Sequence, residues 1–372
     1  MTDPIELTRA LIRIDTAGGG ERTAAELLAP VLSAVGMRVE VDEVTPGRAN
    51  LIARCGDHSR PPLALTGHLD TVRLGAADWT IDPLGGEIVG GRIVGRGASD
   101  MKAGVAALVV ALERHAARRH DSAGLLLLLT AGEETGCEGA RRLVVMHELP
   151  KGGPLLVAEP TSNRLVPGHK GALWLQITAH GCAAHGSRPD LGESAITPLA
   201  RLAVRLADEG LPGAHPVMGR VTVNVGTFSG GTQINLVPSH ALMTADIRLV
   251  PSTTPAELMA MVRSLAGNDV DVEPLLEAAA VYSSPEGTFP SLVAEVVAEV
   301  TGVGSWAAPA TYFTDASVLS GALGGAEVVI LGPGDSEQAH TVDESCSIDR
   351  IHEAVEIYEQ VLDRWCDQRR RR

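Results

Sequence analysis

The sequence predicts an α/β fold in which helices flank a mixed central sheet and a smaller α/β sandwich is inserted into the larger domain. Helix-like and strand-like segments alternate along the first half of the chain, as they do around a largely parallel or mixed sheet. Five consecutive leucines, residues 125–129, have the pattern of a central strand covered on both faces. From about Gly171 to Tyr282 the order changes to β-α-β-β-α-β, which indicates a separate, ferredoxin-like sandwich.

The larger domain is expected to comprise residues 1–170 and 283–372. In chain order we predict helices at residues 5–13 and 23–35, strands at 37–44, 50–53 and 62–66, a helix at 100–115, and strands at 125–130 and 155–158. The second helix is followed by Gly36, where a helix should stop. A helix at 291–301, a strand at 327–331 and a helix at 350–365 complete the domain, and residues 369–372 are expected to form a disordered basic tail.

The inserted domain is expected to comprise residues 171–282. We predict strands at 172–179, 220–229, 241–249 and 269–279, with helices at 194–208 and 255–265. The alternation Val-Thr-Val-Asn-Val at residues 221–225 favours a strand that is exposed on one face.

Composition and charge limit the class of protein. With 45% hydrophobic and 21% charged residues, the 372-residue chain has the composition of a soluble globular protein. Its formal net charge of −15 disfavours nucleic-acid binding, and its apolar stretches are too short to cross a membrane. The N-terminus has no basic segment followed by an apolar core, so a cytoplasmic location is expected. Five scattered cysteines without a CxxC pair are expected to be reduced.

Histidines and carboxylates lie in short segments, several of which directly follow predicted strands. They are His68 and Asp70 in GHLDTV, Asp100 in GRGASDMKAG, Glu133 and Glu134 in AGEETG, Glu159 in AEPT, and His340 in AHTVDE. Sites form at the carboxyl ends of strands in open α/β sheets. Mixed nitrogen and oxygen ligands suit two borderline cations, so we expect two zinc ions, with cobalt or manganese as substitutes.

Each segment also has a simpler explanation. His68 and Asp70 could form a satisfied turn, and Asp100 could cap a helix. In a metal site, Asp70 could accept the second N–H of His68, and Asp100 could bridge two cations with one oxygen for each. One of the adjacent residues Glu133 and Glu134 could hold a metal while the other acts as a general base. The joint occurrence of these segments favours a two-metal hydrolase.

The five segments resemble, in this order and across nearly the whole chain, the motifs of the M20 family of metallo-aminoacylases and peptidases. The closer resemblance is to its acetylornithine deacetylase and succinyl-diaminopimelate desuccinylase branch. It implies a di-metal, exopeptidase-like catalytic domain in which Asp100 bridges the metals. It also implies the other roles: His68 and Glu159 complete one metal site, Glu134 and His340 complete the other, Asp70 orients His68, and Glu133 is the general base.

For the inserted domain, the resemblance implies a lid and dimerisation role in a homodimer. His185, in HGCAAHGSRP, resembles the family histidine that reaches a neighbouring subunit's active site and stabilises the oxyanion; a surface or capping histidine is the alternative. Asn235, in the lid segment GGTQINLVP, could donate a second hydrogen bond. Arg248 could grip a substrate carboxylate with its guanidinium fork, although a salt bridge with Asp246 is equally compatible with the sequence.

The expected activity is the removal of an acyl group from a small-molecule N-acyl amino acid. Acetyl is preferred over succinyl for two reasons: the segment around His340 resembles the deacetylases more closely, and YFTDAS departs from the SDGR-like stretch of the desuccinylases. A dipeptidase or carboxypeptidase of the same family is the nearest alternative. A non-catalytic, metal-dependent binding protein on the same scaffold is a more distant one.

Overall fold

The computed structural model describes residues 1–57, 59–118 and 123–370, and its contacts divide the chain into two compact units. The larger unit contains Met1–Gly168, Tyr282–Ala308 and the chain from Thr314 onward. The smaller unit contains His169–Val281 and Pro309–Phe313. The larger unit is therefore built from segments that precede and follow the smaller unit in the sequence.

The larger unit contains a six-stranded mixed sheet with helices on both faces. Its helices are α1 (Pro4–Ile12), α2 (Glu21–Ala34), α3 (Ala103–Arg118), α4 (Glu138–Met146), α7 (Thr288–Thr301), α8 (Ala316–Ala322) and α9 (Ile348–Arg370). Its strands are β1 (Arg38–Thr45), β2 (Arg48–Cys55), β3 (Leu63–His68), β4 (Glu87–Val89), β5 (Arg92–Val94), β6 (Leu125–Thr130), β7 (Leu155–Val157), β16 (Val328–Ile330) and β17 (Ser345–Ser347). The sheet order is β1-β2-β6-β3-β7-β16, and β4, β5 and β17 form a small separate sheet.

The leucine run explains why β6 is central. All five leucines are fully buried, and alternate ones (Leu125, Leu127, Leu129) pack in one core with residues of α3, α7 and α9. Since strand side chains alternate between faces, Leu126 and Leu128 face the opposite side. Strands β6, β3, β7 and β16 run parallel to one another, and β2 pairs in an antiparallel manner with both β6 and β1. The prediction of a mixed sheet flanked by helices is therefore confirmed.

The smaller unit contains a four-stranded antiparallel sheet with two helices packed against it. Its main elements are β9 (Gly171–His180), α5 (Ile196–Asp208), β12 (Thr222–Gly230), β13 (His240–Leu249), α6 (Pro255–Ala266) and β14 (Val270–Ala278). Short strands β10 (Ala214–His215) and β11 (Gly219–Arg220) form a hairpin, and β8 (Gly168–His169) and β15 (Val281–Tyr282) lie where the chain passes between units. The order β12-β13-β9-β14 is that of a ferredoxin-like sandwich, as the sequence predicted.

Several local expectations need correction. The helix predicted from residue 100 begins at Ala103, because Asp100 has extended backbone angles (φ −120°, ψ 93°); the Asp100–Met101 peptide bond is cis. Helices α4 and α8 were not predicted. The final helix reaches Arg370, so the expected disordered tail is wrong for residues 369–370, and residues 371–372 lie outside the described residues. In the described part of the chain, no helix has the length and apolar character that a membrane span requires.

Candidate metal centre

Three neighbouring parallel strands bring most of the candidate ligands to one edge of the sheet. His68 is the last residue of β3 and Asp70 follows two positions later. Glu133 and Glu134 follow the end of β6, and Glu159 follows the end of β7. Because β6, β3 and β7 are adjacent and parallel, their carboxyl ends meet, and that is where such sheets place their sites.

His68 lies beside Asp100 and Glu159. Its Nε2 is 3.0 Å from Oδ1 of Asp100 and 3.9 Å from Oε1 of Glu159. Two ligands of one tetrahedral zinc ion, each about 2.0–2.2 Å from it, lie about 3.4 Å apart. The two distances from His68 are therefore close to the separation expected of ligands that share a single ion.

His340 lies on the other side of Asp100. Its Nε2 is 3.0 Å from Oε1 of Glu134 and 3.5 Å from Oδ2 of Asp100, so the two oxygens of Asp100 face different histidines. The ligand atoms of His68, Asp100 and Glu134 all lie within 4.8 Å of one another. His340 has a positive φ of 64°, a conformation uncommon outside glycine that is often found at functional sites.

Asp70 connects two of the loops. The ring Nδ1 of His68 lies 3.0 Å from the backbone carbonyl of Asp70 and 3.7 Å from its carboxylate. The carboxylate itself accepts hydrogen bonds from the backbone amides of Glu133 and Glu134, both at 3.1 Å. Asp70 therefore holds the Glu133–Glu134 loop as well as facing the ring of His68.

The cluster contains far more negative than positive charge. Six carboxyl groups meet two imidazoles there: Asp70, Asp100, Glu133, Glu134, Glu159 and Asp315 with His68 and His340. Burial raises the pKa of Glu133 and Glu159 well above its ordinary value, and nearby carboxylates raise it further. Burial opposes the charged form of His68, but its hydrogen bond to Asp100 raises its pKa well above the usual value. Such a donor set fits divalent cations, which would balance these charges.

Glu344, the last residue of the AHTVDE segment, was not singled out from the sequence. Its buried carboxylate accepts hydrogen bonds from the backbone amides of Gly97 (3.0 Å), Ser99 (2.8 Å) and Asp100 (2.9 Å), and it pairs with Arg96 at 2.7 Å. The pairing of β17 with β5 brings Glu344 to this loop. One carboxylate thus fixes the backbone that presents Asp100.

Other buried polar groups near the ligands were also missed. Asp315 accepts a hydrogen bond from Thr130 at the end of β6, and burial raises its pKa to about 6. Lys102 donates to the carbonyl of Ile14 at 2.9 Å, and burial lowers its pKa to about 8. The sequence contained one indication of their importance. Lys102 lies in the segment DMKAG and Asp315 lies in YFTDAS, and both segments had been noted for other reasons.

In the smaller unit, the structure brings His185 and Asn235 together. Residues His185 and Leu236 form a β-bridge, and the amide of Gly186 donates to the carbonyl of Asn235 at 2.7 Å. His185 is exposed, and its Nδ1 accepts a hydrogen bond from the amide of Ser187 at 3.1 Å. In the neutral ring this places the N–H on Nε2, from which it can be donated to a ligand.

Arg248 makes the salt bridge that was the alternative to substrate binding. Its Nε and Nη2 lie 3.2 and 3.0 Å from Oδ2 of Asp246. The guanidinium also lies 3.5 Å from the carbonyl of Thr311. A substrate carboxylate would compete with Asp246 for the same fork.

Comparison with known proteins gives consistent matches. The model of Peptidase family M20/M25/M40 matches residues 64–364. A succinyl-diaminopimelate desuccinylase of Rhodospirillum centenum is 31% identical, covering 98% of this chain and 97% of that protein. A probable succinyl-diaminopimelate desuccinylase of Staphylococcus epidermidis is 30% identical, covering 97% of each.

Solved structures share the fold at lower identity. An M20 family metallo-carboxypeptidase of Sulfolobus solfataricus has a TM-score of 0.78 at 17% identity, covering 99% of this chain and 100% of that one. A dinuclear metal binding peptidase of Bacillus subtilis has a TM-score of 0.72 at 14% identity, covering 98% of each chain. Since the family model matches most of the chain and relatives of about 30% identity align over almost its full length, the protein is a hydrolase that belongs to Peptidase family M20/M25/M40.

Proposed function

We propose that this protein is a two-zinc amidohydrolase that removes a short acyl group from an N-acyl amino acid and releases the free amino acid. The observation that carries the proposal is the ligand cluster at the ends of β3, β6 and β7, with the buried carboxyl group of Glu133 beside it. The names of the two relatives described above, a desuccinylase and a probable desuccinylase, support deacylation as the reaction.

We assign each ligand to one of two metal sites by the ligand atoms that lie closest to it. Asp100 would bridge two cations, because each of its oxygens faces a different histidine. His68 and Glu159 would complete one site. Glu134 and His340 would complete the other. Cobalt or manganese could replace zinc in such a mixed site.

Glu133 is the proposed general base. Two bound divalent cations would polarise the amide carbonyl and lower the pKa of the attacking water. Glu133 accepts the proton of that water and delivers it to the leaving nitrogen. Burial already raises its affinity for a proton, and Asp70 holds its backbone in place.

The smaller unit supplies the proposed substrate contacts in a cytoplasmic homodimer. His185, with an exposed Nε2–H, stabilises the oxyanion in the neighbouring subunit's active site, and Asn235 donates a second hydrogen bond. Arg248 exchanges Asp246 for the carboxylate of the substrate, a geometry that suits its planar fork. The smaller unit thereby acts as both lid and dimerisation domain.

The identity of the acyl group is the most specific part of the proposal. The segment around His340 favours acetyl, whereas the names of the full-length relatives favour succinyl. A peptidase is the second candidate, because the same machinery can cleave a peptide amide and the family description names peptidases. A non-catalytic binding protein is disfavoured because Glu133 and every proposed ligand are present.

A substrate panel tests the proposal. The zinc-loaded protein is assayed with N-acetylornithine, N-succinyl-diaminopimelate and a set of dipeptides, and kcat/KM is measured from the release of free amine. We expect an acylated amino acid to be cleaved at least tenfold more efficiently than any dipeptide. The reverse ranking would make the protein a peptidase. Tight binding without turnover at any metal loading would identify a binding protein.

A further inference from the structure

A cavity in the larger unit lies at the opposite end of the sheet from the metal ligands. It has a volume of about 820 Å³ and is lined by β1, β2, the start of β6 and the segment that follows α4. Arg54 pairs with Leu126 near the start of β6, whereas Glu133 follows the other end of that strand. Thr130 lies four positions after Leu126 in the strand, a distance on the order of 13 Å. The cavity is therefore distinct from the metal centre.

Its polar lining is strongly basic. Arg38, Arg54 and Lys151 contribute three cationic side chains, and Glu148 contributes a single carboxylate. The whole chain has a formal net charge of −15, so a local excess of positive charge stands out against an acidic background. Pro150 and the largely buried Leu149 provide the apolar part of the same lining.

The strand register places two of these cations side by side. Arg38 on β1 is the direct cross-strand partner of Arg54 on β2. Like charges at directly opposed positions destabilise an antiparallel pair. Within the described residues, neither arginine makes an ion pair or a side-chain hydrogen bond, and Nε of Arg54 is buried without an acceptor. An anion between the two guanidinium groups would accept hydrogen bonds from their terminal nitrogens and remove the repulsion.

We propose that this cavity binds a small organic polyanion through phosphate or carboxylate groups. The guanidinium groups of Arg38 and Arg54 hold one oxyanion, Lys151 provides a further positive charge, and the apolar side of the cavity at Leu149 and Pro150 contacts the carbon skeleton. The volume lies within the range of small-molecule sites, about 300–1,000 Å³. This site is independent of the proposed hydrolytic reaction.

The test uses two probes that differ in the oxyanion. The full-length, metal-loaded protein is titrated by calorimetry with inorganic phosphate and, separately, with the tricarboxylate tricarballylate, at constant ionic strength set with sodium chloride. We expect saturable binding of at least one probe and an increase in Tm on binding. The tighter probe identifies the preferred oxyanion. Arg38→Gln and Arg54→Gln should each weaken binding at least tenfold.

Matched variants separate this site from nonspecific charge and from the metal centre. Arg22→Gln removes one positive charge from the exposed surface of α2 and should leave the affinity unchanged. His68→Ala changes the metal centre and should also leave it unchanged. Because Arg38 is exposed, Arg38→Gln should remain folded, with a Tm in the absence of probe that is equal to or above that of the wild type. Absence of saturable binding, or equal affinity in wild type and Arg54→Gln, would overturn the proposal.

Discussion

Glu133 and Glu134 are neighbours in the chain but lie in different chemical environments. Glu134 contacts His340 at 3.0 Å, in the arrangement of a ligand. Glu133 is only 6% exposed, and burial raises its pKa well above the ordinary value. The shared carboxylate of Asp70 binds both backbone amides and so fixes the loop while the two side chains diverge.

Replacing Glu133 should separate metal binding from turnover. We expect Glu133→Ala to retain two equivalents of metal and to lose about 10²–10⁴-fold in kcat, the usual cost of removing a general base. Elemental analysis and steady-state kinetics measure the two quantities. The exposed substitution Glu26→Ala serves as the control. Near wild-type turnover in a metal-loaded Glu133→Ala protein would refute the assigned role.

Glu344 should affect the metal centre without touching a metal. Glu344→Gln removes the negative charge that accepts three backbone amides around Asp100, so we expect metal affinity to fall by about 10–100-fold. Competition with a chelator measures that affinity. Glu337→Gln, an exposed change in the same segment, should leave it unaltered. If both variants bind metal like the wild type, Glu344 is not needed to position Asp100.

The candidate ligands could be predicted because each is a strong metal-binding residue type in a short motif, most of them just after an apolar strand. Glu344 and Asp315 were missed because their importance depends on partners distant in the chain: Glu344 binds the loop at residues 97–100, and Asp315 binds Thr130. The alternative explanation for Arg248, a salt bridge with Asp246, is what this structure contains. Sequence alone does not show whether the flexible side chain of Arg248 pairs with Asp246 or with a substrate carboxylate.

At the scale of elements, close packing of α3 against the end of β7 depends on one glycine. A Cβ at Gly104 would lie 2.2 Å from the carbonyl oxygen of Ala158, the residue before Glu159. Gly104→Ala must therefore push the helix and strand apart, and we expect a loss of about 1–3 kcal/mol in the free energy of unfolding together with weaker metal binding. Urea unfolding and metal titration measure these effects.

A second helical glycine provides the matched control. Gly321 in α8 has no atom within 4 Å of the position a Cβ would take. Gly321→Ala should therefore stabilise the protein by about 0.5–1 kcal/mol, because alanine favours the helix. Equal destabilisation by both substitutions would show that close approach at Gly104 is not the cause.

His169, the first residue of the smaller unit, should make stability depend on pH. It is fully buried, and burial lowers its pKa to about 4. The unfolded chain, with a histidine pKa of about 6.5, binds more protons between those values, so stability is fully present at pH 7 and falls as the pH decreases toward 4. The expected contribution is a loss of about 2 kcal/mol in the free energy of unfolding between pH 7 and pH 5.

A variant that cannot titrate tests this dependence. His169→Asn keeps a donor for the carbonyl of Lys170 and should flatten the decrease in stability between pH 7 and pH 5, even if the variant is less stable at both. His352→Asn, on the exposed side of α9, should not change the slope. An unchanged slope in His169→Asn would assign the pH dependence to other groups.

Most elements could be predicted from periodicity, because long apolar strands and amphipathic helices carry strong local signals. Helices α4 and α8 were missed because they are short, with nine and seven residues, and neither has the side-chain N-cap that marks the start of the equally short α1. The start of α3 was placed too early because the sequence pattern of a helix cap at Asp100 resembles that of a loop that presents a ligand. The backbone there follows its contacts with Glu344 rather than local propensity.

At the scale of the whole molecule, the proposed dimer makes a prediction about mixed subunits. Inactive His185→Ala subunits have an intact Glu133, and inactive Glu133→Ala subunits have an intact His185. If His185 acts in the neighbouring subunit, random mixing should restore about a quarter of wild-type activity, since half of the dimers are mixed and each has one complete site. Activity measured after mixing, with dimers verified by differential tags, tests this. No rescue in verified mixed dimers would contradict action across the interface.

The discontinuous larger unit has a consequence for how the enzyme is made. During translation, four of the proposed ligands emerge early, but His340 and the supporting Glu344 emerge only after the entire smaller unit has been synthesised. A nascent or prematurely terminated chain therefore carries the carboxylates and His68 but lacks His340, the second imidazole of the cluster. If His340 completes a metal site as proposed, we expect incomplete products to have no hydrolytic activity until translation is nearly finished.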